Sequence, residues 1–326
     1  MSPSTISNGH AGTASSATPL APGLYVPTVA FFTDDDSIDV ATTHAHATRL
    51  AASGIAGIAT MGSNGEAVHL SHEERQLINR TTRRALDEAG KSHLPLIVGC
   101  GAQSTRETIQ LCEEAEASGG NYALVLPPAY YGSLLTTAHI IEFFRAVADA
   151  SPIPILIYNF PGACAGLDLS SDTIIELSAH PNIVGVKLTC GNTGKLARVA
   201  AATLASQTTA SPFRTFGGSV DFTLQTLVVG GHGIIGGTGN IAPRTCVQVM
   251  DLWEQGKLAK AREVQAVVAR GDWVAIQGGF VSVKTALREF YGYGGVPRLP
   301  CAIPEDTTKQ INGFSELVEY ERTLAK

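Results

Sequence analysis

Eight short β-type runs alternate with segments of helical spacing along this chain of 326 residues. The helical segments pair an apolar face with a charged one, as in residues 71–90, where Ser71 and Glu74 form a capping-box pattern. This alternation predicts an α/β protein with a parallel (β/α)8 TIM barrel, since a doubly wound open sheet usually needs fewer strands. The eight runs are residues 23–32, 54–62, 94–101, 121–128, 153–161, 182–189, 213–219 and 233–240.

Three regions follow from the same reading. We expect a disordered N-terminal tail at residues 1–20, a catalytic barrel at 21–256 and a C-terminal helical region at 257–326. The tail is rich in Ser, Thr, Ala and Gly, and the first basic residue of the chain is Arg49. Secretory signals need a basic segment and mitochondrial presequences need arginines, so a cytoplasmic location is expected.

Composition limits the classes of partner. The chain is 44% hydrophobic and 16% charged with a formal net charge of −6, which favours a folded globular protein and argues against nucleic acid or an anionic membrane surface. Its apolar runs are too short for a transmembrane span. Six scattered cysteines without a C-x-x-C pair indicate reduced thiols and no disulfide or zinc framework.

Lys187 is the residue most suggestive of chemistry, because it stands inside the apolar strand IVGVKL. A lysine in such a place is a snorkelling side chain, a member of a buried ion pair or a functional amine. Apolar surroundings disfavour the charged ammonium and favour the neutral nucleophile that forms a Schiff base with a ketone. We therefore predict a Schiff base at Lys187. Lys284 also has apolar neighbours, but at helical spacing, and is predicted to be structural.

Other candidates lie at the ends of predicted strands. Tyr158 ends a strand and is either a barrel-filling aromatic or a phenol that relays protons at the imine. Tyr130 and Tyr131 present the same choice, with a surface or interface role favoured. The GSNGE loop (residues 62–66) is either a simple turn or a nest of backbone N–H groups for a carboxylate, with the Ser63 hydroxyl contributing.

Two further patterns are set aside. GHGIIG (residues 231–236) matches G-x-G-x-x-G, but it leads into a strand, which is the wrong context for a dinucleotide. His44 and His46, with His69 and His72 nearby, raise the possibility of a metal-dependent barrel hydrolase. No ligand set with zinc-type spacing follows them, so a solvated helix face is the favoured interpretation.

Taken together, GSNGEAVHLSHEER, PPAYYG, YNFPG, NIVGVK and GGHGIIG resemble the dihydrodipicolinate synthase / N-acetylneuraminate lyase superfamily, in order from about Tyr25 to Pro300. The resemblance implies a (β/α)8 barrel with a C-terminal helical region and a class I, pyruvate-dependent aldolase or lyase. It also implies small-molecule 2-oxo acid and aldehyde substrates, no metal or organic cofactor beyond the covalent imine, and a homotetramer arranged as a dimer of dimers.

The resemblance also assigns roles to individual positions. Lys187 matches the imine-forming lysine, Tyr158 the catalytic tyrosine, and Tyr131 a second tyrosine that relays protons and reaches into a neighbouring subunit. The remaining matches belong to the substrate pocket, with the loop residues holding the substrate carboxylate and two backbone positions lining the pyruvate pocket. These residues are Gly62, Ser63, Asn64, Gly218 and Ile235.

One departure narrows the expected reaction. The synthases carry an arginine two residues beyond the YNFP proline, whereas this chain runs Gly162, Ala163, Cys164. Lysine-biosynthetic synthase activity is therefore disfavoured, and the segment is most similar to eukaryotic 4-hydroxy-2-oxoglutarate aldolase and fungal 2-keto-3-deoxy-sugar-acid aldolases. We expect L-threo-3-deoxy-hexulosonate cleavage, with 4-hydroxy-2-oxoglutarate aldolase, dihydrodipicolinate synthase, a non-catalytic 2-oxo-acid-binding barrel and the metal-dependent hydrolase as alternatives. Specificity is expected from residues around 162–165, 191–193 and 237–240.

Overall fold

The computed structural model describes residues 19–205 and 212–325, and the predicted barrel is confirmed there. Eight parallel strands pair in chain order and close on themselves, β1 with β8. Each strand lies within one predicted run. The strands are β1 Gly23–Pro27, β2 Gly57–Thr60, β3 Leu96–Gly99, β4 Tyr122–Val125, β5 Ile155–Asn159, β6 Ile183–Leu188, β7 Arg214–Gly217 and β8 Gly233–Ile235.

Helices follow every strand and form the outer layer. The capping box predicted at Ser71 and Glu74 is present at the start of the second helix. Ser104 caps the third helix through the Glu107 amide, and Gly119 follows that helix with a φ of +96°. The helices are α1 Val40–Ala51, α2 His72–Glu88, α3 Thr105–Ala117, α4 Thr137–Ala150, α5 Ser171–Leu177, α6 Thr193–Ala205, α7 Thr223–Val228, α8 Pro243–Glu254, α9 Leu258–Tyr291 and α10 Thr308–Leu324.

Two apolar clusters hold these layers together. The larger one fills the space between the strands and the surrounding helices. The smaller one fills the barrel interior, where the side chains alternate with those that face the helices. Tyr25 and Phe216 meet edge to face in this interior with their ring centroids 5.3 Å apart. Because the interior is packed solid, a site can open only at the ends of the barrel.

The long helix α9 carries the C-terminal region across the barrel. It is interrupted at Gly279, whose φ of 58° and ψ of −153° are non-helical. Residues on both sides of this break, among them Ala275 and Val283, line a cavity at the carboxyl ends of the strands. The predicted boundary between residues 256 and 257 falls in the turn that separates α8 from α9.

The structure corrects one prediction. His44 lies on the outer face of α1 and pairs with Glu88, as a solvated helix predicts. His46, however, is only 1% exposed and is hydrogen-bonded at 2.9 Å through both ring nitrogens, to Tyr293 Oη and Asn240 Oδ1. The prediction was wrong because His46 lies on the buried face of α1, at helical spacing from Thr43 and Leu50.

Two other predictions concern the N-terminal tail and membrane-spanning segments. The predicted N-terminal tail, residues 1–20, falls almost entirely outside the described residues. Within the described ranges, none of the helices is both long and apolar enough to cross a membrane.

Candidate active site

Lys187 and Tyr158 are direct neighbours on adjacent strands. Strand β6 pairs with β5 so that the Cα atoms of Lys187 and Tyr158 are partners in the register. The Lys187 side chain lies inside the barrel mouth, where the residue is 3% exposed, and its Nζ is 4.2 Å from the centroid of the Tyr158 ring. The amine and the phenol therefore occupy one site, as the sequence predicts.

A β-bulge creates this juxtaposition. Ile155 pairs with Ile183, but the next residue, Leu156, pairs with Gly185, so β6 contains one unpaired residue, Val184. If Val184 were paired with Leu156, the register would run one position out, and Lys187 would pair with Asn159, the residue after Tyr158. The bulge therefore aligns the amine with the phenol.

The GSNGE loop closes one side of the site. Ser63 Oγ lies 3.3 Å from Tyr158 Oη, so a chain of polar groups runs from the loop through the phenol towards Lys187. Asn64 Nδ2 donates to the Pro27 carbonyl at 3.4 Å, which ties the loop to the end of β1. Ser63, Asn64, Tyr158 and Lys187 all line one cavity of about 580 Å³ at the carboxyl ends of the strands.

Gly218 lies on the opposite wall of this cavity, immediately after β7. Its backbone approaches Thr189 so closely that a Cβ at this position would lie 2.0 Å from Thr189 Oγ1, which requires glycine. Gly62 and Ile235 do not line the cavity directly. Gly62 accepts the Gly65 amide at 3.0 Å in the loop turn, and Ile235 packs in the barrel interior beneath the site.

Tyr131 lies away from this cavity in the single chain. It is 62% exposed and stacks edge to face on the 80% exposed Tyr130, with the ring centroids 5.0 Å apart. A side chain so exposed cannot reach Lys187 within the same chain in this arrangement. Its proposed part in proton relay, in contact with a neighbouring subunit, stays a prediction.

Sequence reasoning missed the acidic wall of the cavity. Asp221 and Asp272 line it, and burial raises the pKa of each carboxyl above its ordinary value. Asp272 accepts hydrogen bonds from Ser219 Oγ at 2.5 Å, from the Asp221 amide at 3.0 Å and from Thr238 Oγ1. Asp221 follows β7 closely and could have been identified as a strand-end carboxylate, whereas Asp272 comes from α9 and is brought in only by the tertiary fold.

The segments expected to set specificity are only partly at the site. Gly191 and Gly237 line the cavity, whereas residues 162–165 do not. Cys164 is buried and its thiol faces the Pro127 carbonyl at 3.7 Å. Phe160, just before this segment, stacks on Tyr158 with an interplanar angle of 22° and lines the cavity. The wall here is therefore aromatic.

Comparison with known proteins agrees with this geometry. The model of the dihydrodipicolinate synthetase family matches residues 21–312, which is most of the chain. The chain belongs to this family. The family assignment confirms the resemblance that the loop, strand and lysine motifs indicate. The roles of the individual site residues stay predictions that the geometry above makes testable.

Relatives in this family carry aldolase names. The chain is 60% identical over 308 residues to a protein of Emericella nidulans named "probable 4-hydroxy-2-oxoglutarate aldolase, mitochondrial", covering 94% of this chain and 98% of the relative. It is 48% identical to the L-threo-3-deoxy-hexylosonate aldolase of Hypocrea jecorina, covering 93% and 98%. A prophage protein of Escherichia coli K12, solved in complex with pyruvate, superposes with a TM-score of 0.81 at 28% identity, covering 93% and 98%.

Proposed function

We propose that this protein is a Schiff-base aldolase that cleaves a 2-keto-3-deoxy sugar acid to pyruvate and an aldehyde. The preferred substrate is L-threo-3-deoxy-hexulosonate, whose aldehyde product is neutral and hydroxylated. The observation that supports this type of reaction is the alignment of Lys187 with Tyr158 on adjacent strands. The aldolase names of the relatives from Emericella nidulans and Hypocrea jecorina support it.

Each chemical step has a group in the site. The neutral amine of Lys187 attacks C2 of the 2-oxo acid, and loss of water gives a protonated imine that withdraws electrons from C3. The Tyr158 phenol gives its proton to the departing hydroxide of the carbinolamine, and the resulting phenolate takes the proton of the C4 hydroxyl, assisted by Ser63 at 3.3 Å. The C3–C4 bond then breaks, the aldehyde leaves, and the electron pair of the broken bond forms the enamine. Protonation at C3 and hydrolysis release pyruvate and the free amine.

The loop holds the substrate for this attack. Ser63 and Asn64 face the cavity beside Tyr158, where a carboxylate can accept hydrogen bonds from the hydroxyl and the loop amides. A carboxylate held there orients the adjacent C2 carbonyl towards Lys187. No metal or organic cofactor is part of this proposal.

The charge of the cavity favours a neutral aldehyde. Among the described residues that line it, Lys187 is the single cationic side chain, while Asp221 and Asp272 are carboxyl groups. Cleavage of 4-hydroxy-2-oxoglutarate releases glyoxylate, whose carboxylate would share the cavity with these acids. Like charges in a partly buried site repel, whereas the hydroxyls of a sugar acid can donate to carboxylates.

Asp221 is the carboxyl group best placed to accept a hydrogen bond from such a hydroxyl. Its Oδ1 is buried and has no hydrogen-bond partner within the described part of the chain. A buried acceptor without a donor is unfavourable, so a substrate hydroxyl that donates to it would be recognised. Asp272, by contrast, already accepts three hydrogen bonds.

Pyruvate release from a panel of acids tests this proposal. We expect a higher kcat/KM for L-threo-3-deoxy-hexulosonate than for 4-hydroxy-2-oxoglutarate. Asp221→Asn should lower kcat/KM for the sugar acid by roughly tenfold or more and leave that for 4-hydroxy-2-oxoglutarate unchanged or raised. Asp251→Asn, at an exposed site on α8, is the matched control and should change neither.

Three results would redirect the proposal. Faster cleavage of 4-hydroxy-2-oxoglutarate would favour that aldolase as the function. Loss of activity to a chelator, with no reduction-trapped adduct, would favour a metal-dependent hydrolase. Pyruvate binding without turnover of any acid would favour a non-catalytic barrel.

The assembly of the protein and its location in the cell are two separate proposals. We propose a homotetramer, with the exposed pair Tyr130 and Tyr131 at an interface between subunits, and light scattering gives its mass directly. We also propose a cytoplasmic location, although the relative from Emericella nidulans is named as mitochondrial. Imaging of the full-length chain fused at its C-terminus to a fluorescent protein distinguishes the two compartments.

A further inference from the structure

Glu66, the last residue of the GSNGE loop, forms an ion pair with Lys284 in which both side chains are fully buried. Lys284 Nζ lies 2.8 Å from Glu66 Oε1, and neither side chain is accessible to solvent. Lys284 also donates to the Val296 carbonyl at 2.7 Å. The other carboxylate oxygen of Glu66 accepts the Arg298 amide at 2.9 Å and lies 3.2 Å from His69 Nδ1. Two charges taken out of water require such a full set of partners.

The backbone of Glu66 is held in an unfavourable conformation. Its φ is 51°, and Met61 on the other side of the loop has a φ of 54°. Left-handed backbone is uncommon at residues other than glycine and persists where the surroundings enforce it. Residues 62–65, including Ser63 and Asn64, are therefore held between two constrained positions, one of which is tied to α9 by the ion pair.

Helix α9 contributes to the same cavity that the loop lines. Phe280 and Val283, in the helical segment that contains Lys284, are lining residues. Lys284 itself lies outside the lining, with its Nζ 4.7 Å from the Phe32 ring centroid. The Lys284 side chain therefore connects Glu66 at the end of the loop to α9, which lines the same cavity.

We propose that Lys284 is a positioning residue, which acts through Glu66 to hold Ser63 and Asn64 in the geometry that binds the substrate carboxylate. This inference rests on the proposed function, in which the loop binds that carboxylate. It gives the C-terminal helical region a part in substrate binding in addition to its packing. A purely structural ion pair would stabilise the protein but would have no separate effect on binding.

Lys284→Met tests the proposal by removing the cation while keeping most of the side-chain volume. We expect the KM for the sugar acid and the dissociation constant of pyruvate each to rise on the order of 10- to 100-fold, because the loop is displaced from its binding geometry. The change in kcat should be smaller. Arg270→Met is the matched control. It breaks the exposed ion pair between Arg270, which is on the same helix as Lys284, and Glu316 on α10, and should leave both constants unchanged.

A double variant separates positioning from folding. In Lys284→Met the Glu66 carboxylate is left buried without its cation, so stability falls. Adding Glu66→Gln removes that charge and keeps an acceptor for the Arg298 amide, so the thermal unfolding midpoint should recover towards that of the wild type. The proposal predicts that the pyruvate constants stay raised in this folded double variant. Their return to wild-type values together with stability would overturn it.

The two proposals fail in different ways. If reduction does not trap pyruvate on the wild-type enzyme, the proposed function is wrong. If the wild type is trapped and Lys284→Met is trapped at the same pyruvate concentrations, the positioning role is wrong while the function stands. Where the single variant is not folded, the double variant gives the same comparison.

Discussion

At the scale of the residue, the site depends on a buried lysine that lies beside a phenol. Lys187 is 3% exposed and its Nζ lies over the Tyr158 ring at 4.2 Å. The sequence could identify this lysine, because a charged residue interrupts an apolar strand. It could not give the orphaned Asp221 Oδ1, because hydrogen-bond satisfaction is a property of the assembled neighbourhood.

Tyr158→Phe tests the phenol as the proton carrier. We expect kcat to fall by on the order of 10²- to 10⁴-fold, because the C4 hydroxyl loses its base, while the protein still forms the imine with pyruvate. Steady-state kinetics and trapping on the same preparations measure the two effects. Tyr25→Phe is the control, since Tyr25 Oη donates to the Ala21 carbonyl, away from the cavity lining, and should leave kcat unchanged.

We expect the buried His46 to make the folding stability of the protein sensitive to acid. Burial lowers the pKa of His46 to about 3, from 6.5 for the free side chain. Below pH 6.5 the unfolded chain binds a proton that the folded one excludes. Stability from this residue is therefore complete above pH 6.5 and is lost as the pH falls towards 3, by at most about 1.4 kcal/mol per pH unit.

Urea unfolding between pH 7.5 and pH 5 measures this loss. His46→Gln removes the titrating group, so the variant should be less stable than the wild type at pH 7.5 but lose less stability on acidification. His44→Gln, on the exposed face of the same helix, should follow the wild type. Equal pH dependence in wild type and His46→Gln would contradict the assignment.

At the scale of the element, two local irregularities make the site. The bulge in β6 brings Lys187 opposite Tyr158, and the break at Gly279 shapes α9 around the cavity. The apolar runs predicted every strand, because burial on both faces leaves a strong pattern. They could not predict the bulge, since an extra residue inside an apolar run changes pairing without changing composition.

Gly279→Ala tests the break in α9. Its φ of 58° and ψ of −153° lie in a region that is nearly exclusive to glycine, so alanine should destabilise the protein by about 1–3 kcal/mol. Urea unfolding measures the change. Gly194→Ala is the control, because a Cβ there meets its neighbours at ordinary distances of 3.4 Å or more, and stability should be unchanged or slightly raised. Equal stability of the two variants would show that the break is not required.

At the scale of the whole molecule, side chains fill the barrel interior, and the candidate site lies at the carboxyl ends of the strands. The β/α alternation predicted the barrel and its chain order, and the ordered motifs predicted the family, because both depend on local sequence. The acidic cavity wall could not be predicted, since Asp272 lies 85 positions beyond Lys187 and reaches the site through the path of α9. The residues that form this wall are therefore determined by the tertiary arrangement.

Borohydride reduction in the presence of pyruvate tests the central claim most directly. Mass spectrometry of the digested protein should find one reduced pyruvyl adduct per chain, on the peptide that contains Lys187, and none in Lys187→Arg. Lys284 and Lys195, the other lysines that are buried in the described part of the chain, should remain unmodified. An enzyme that cleaves its substrate without any trapped adduct, or with the adduct on one of those two lysines, would contradict the account.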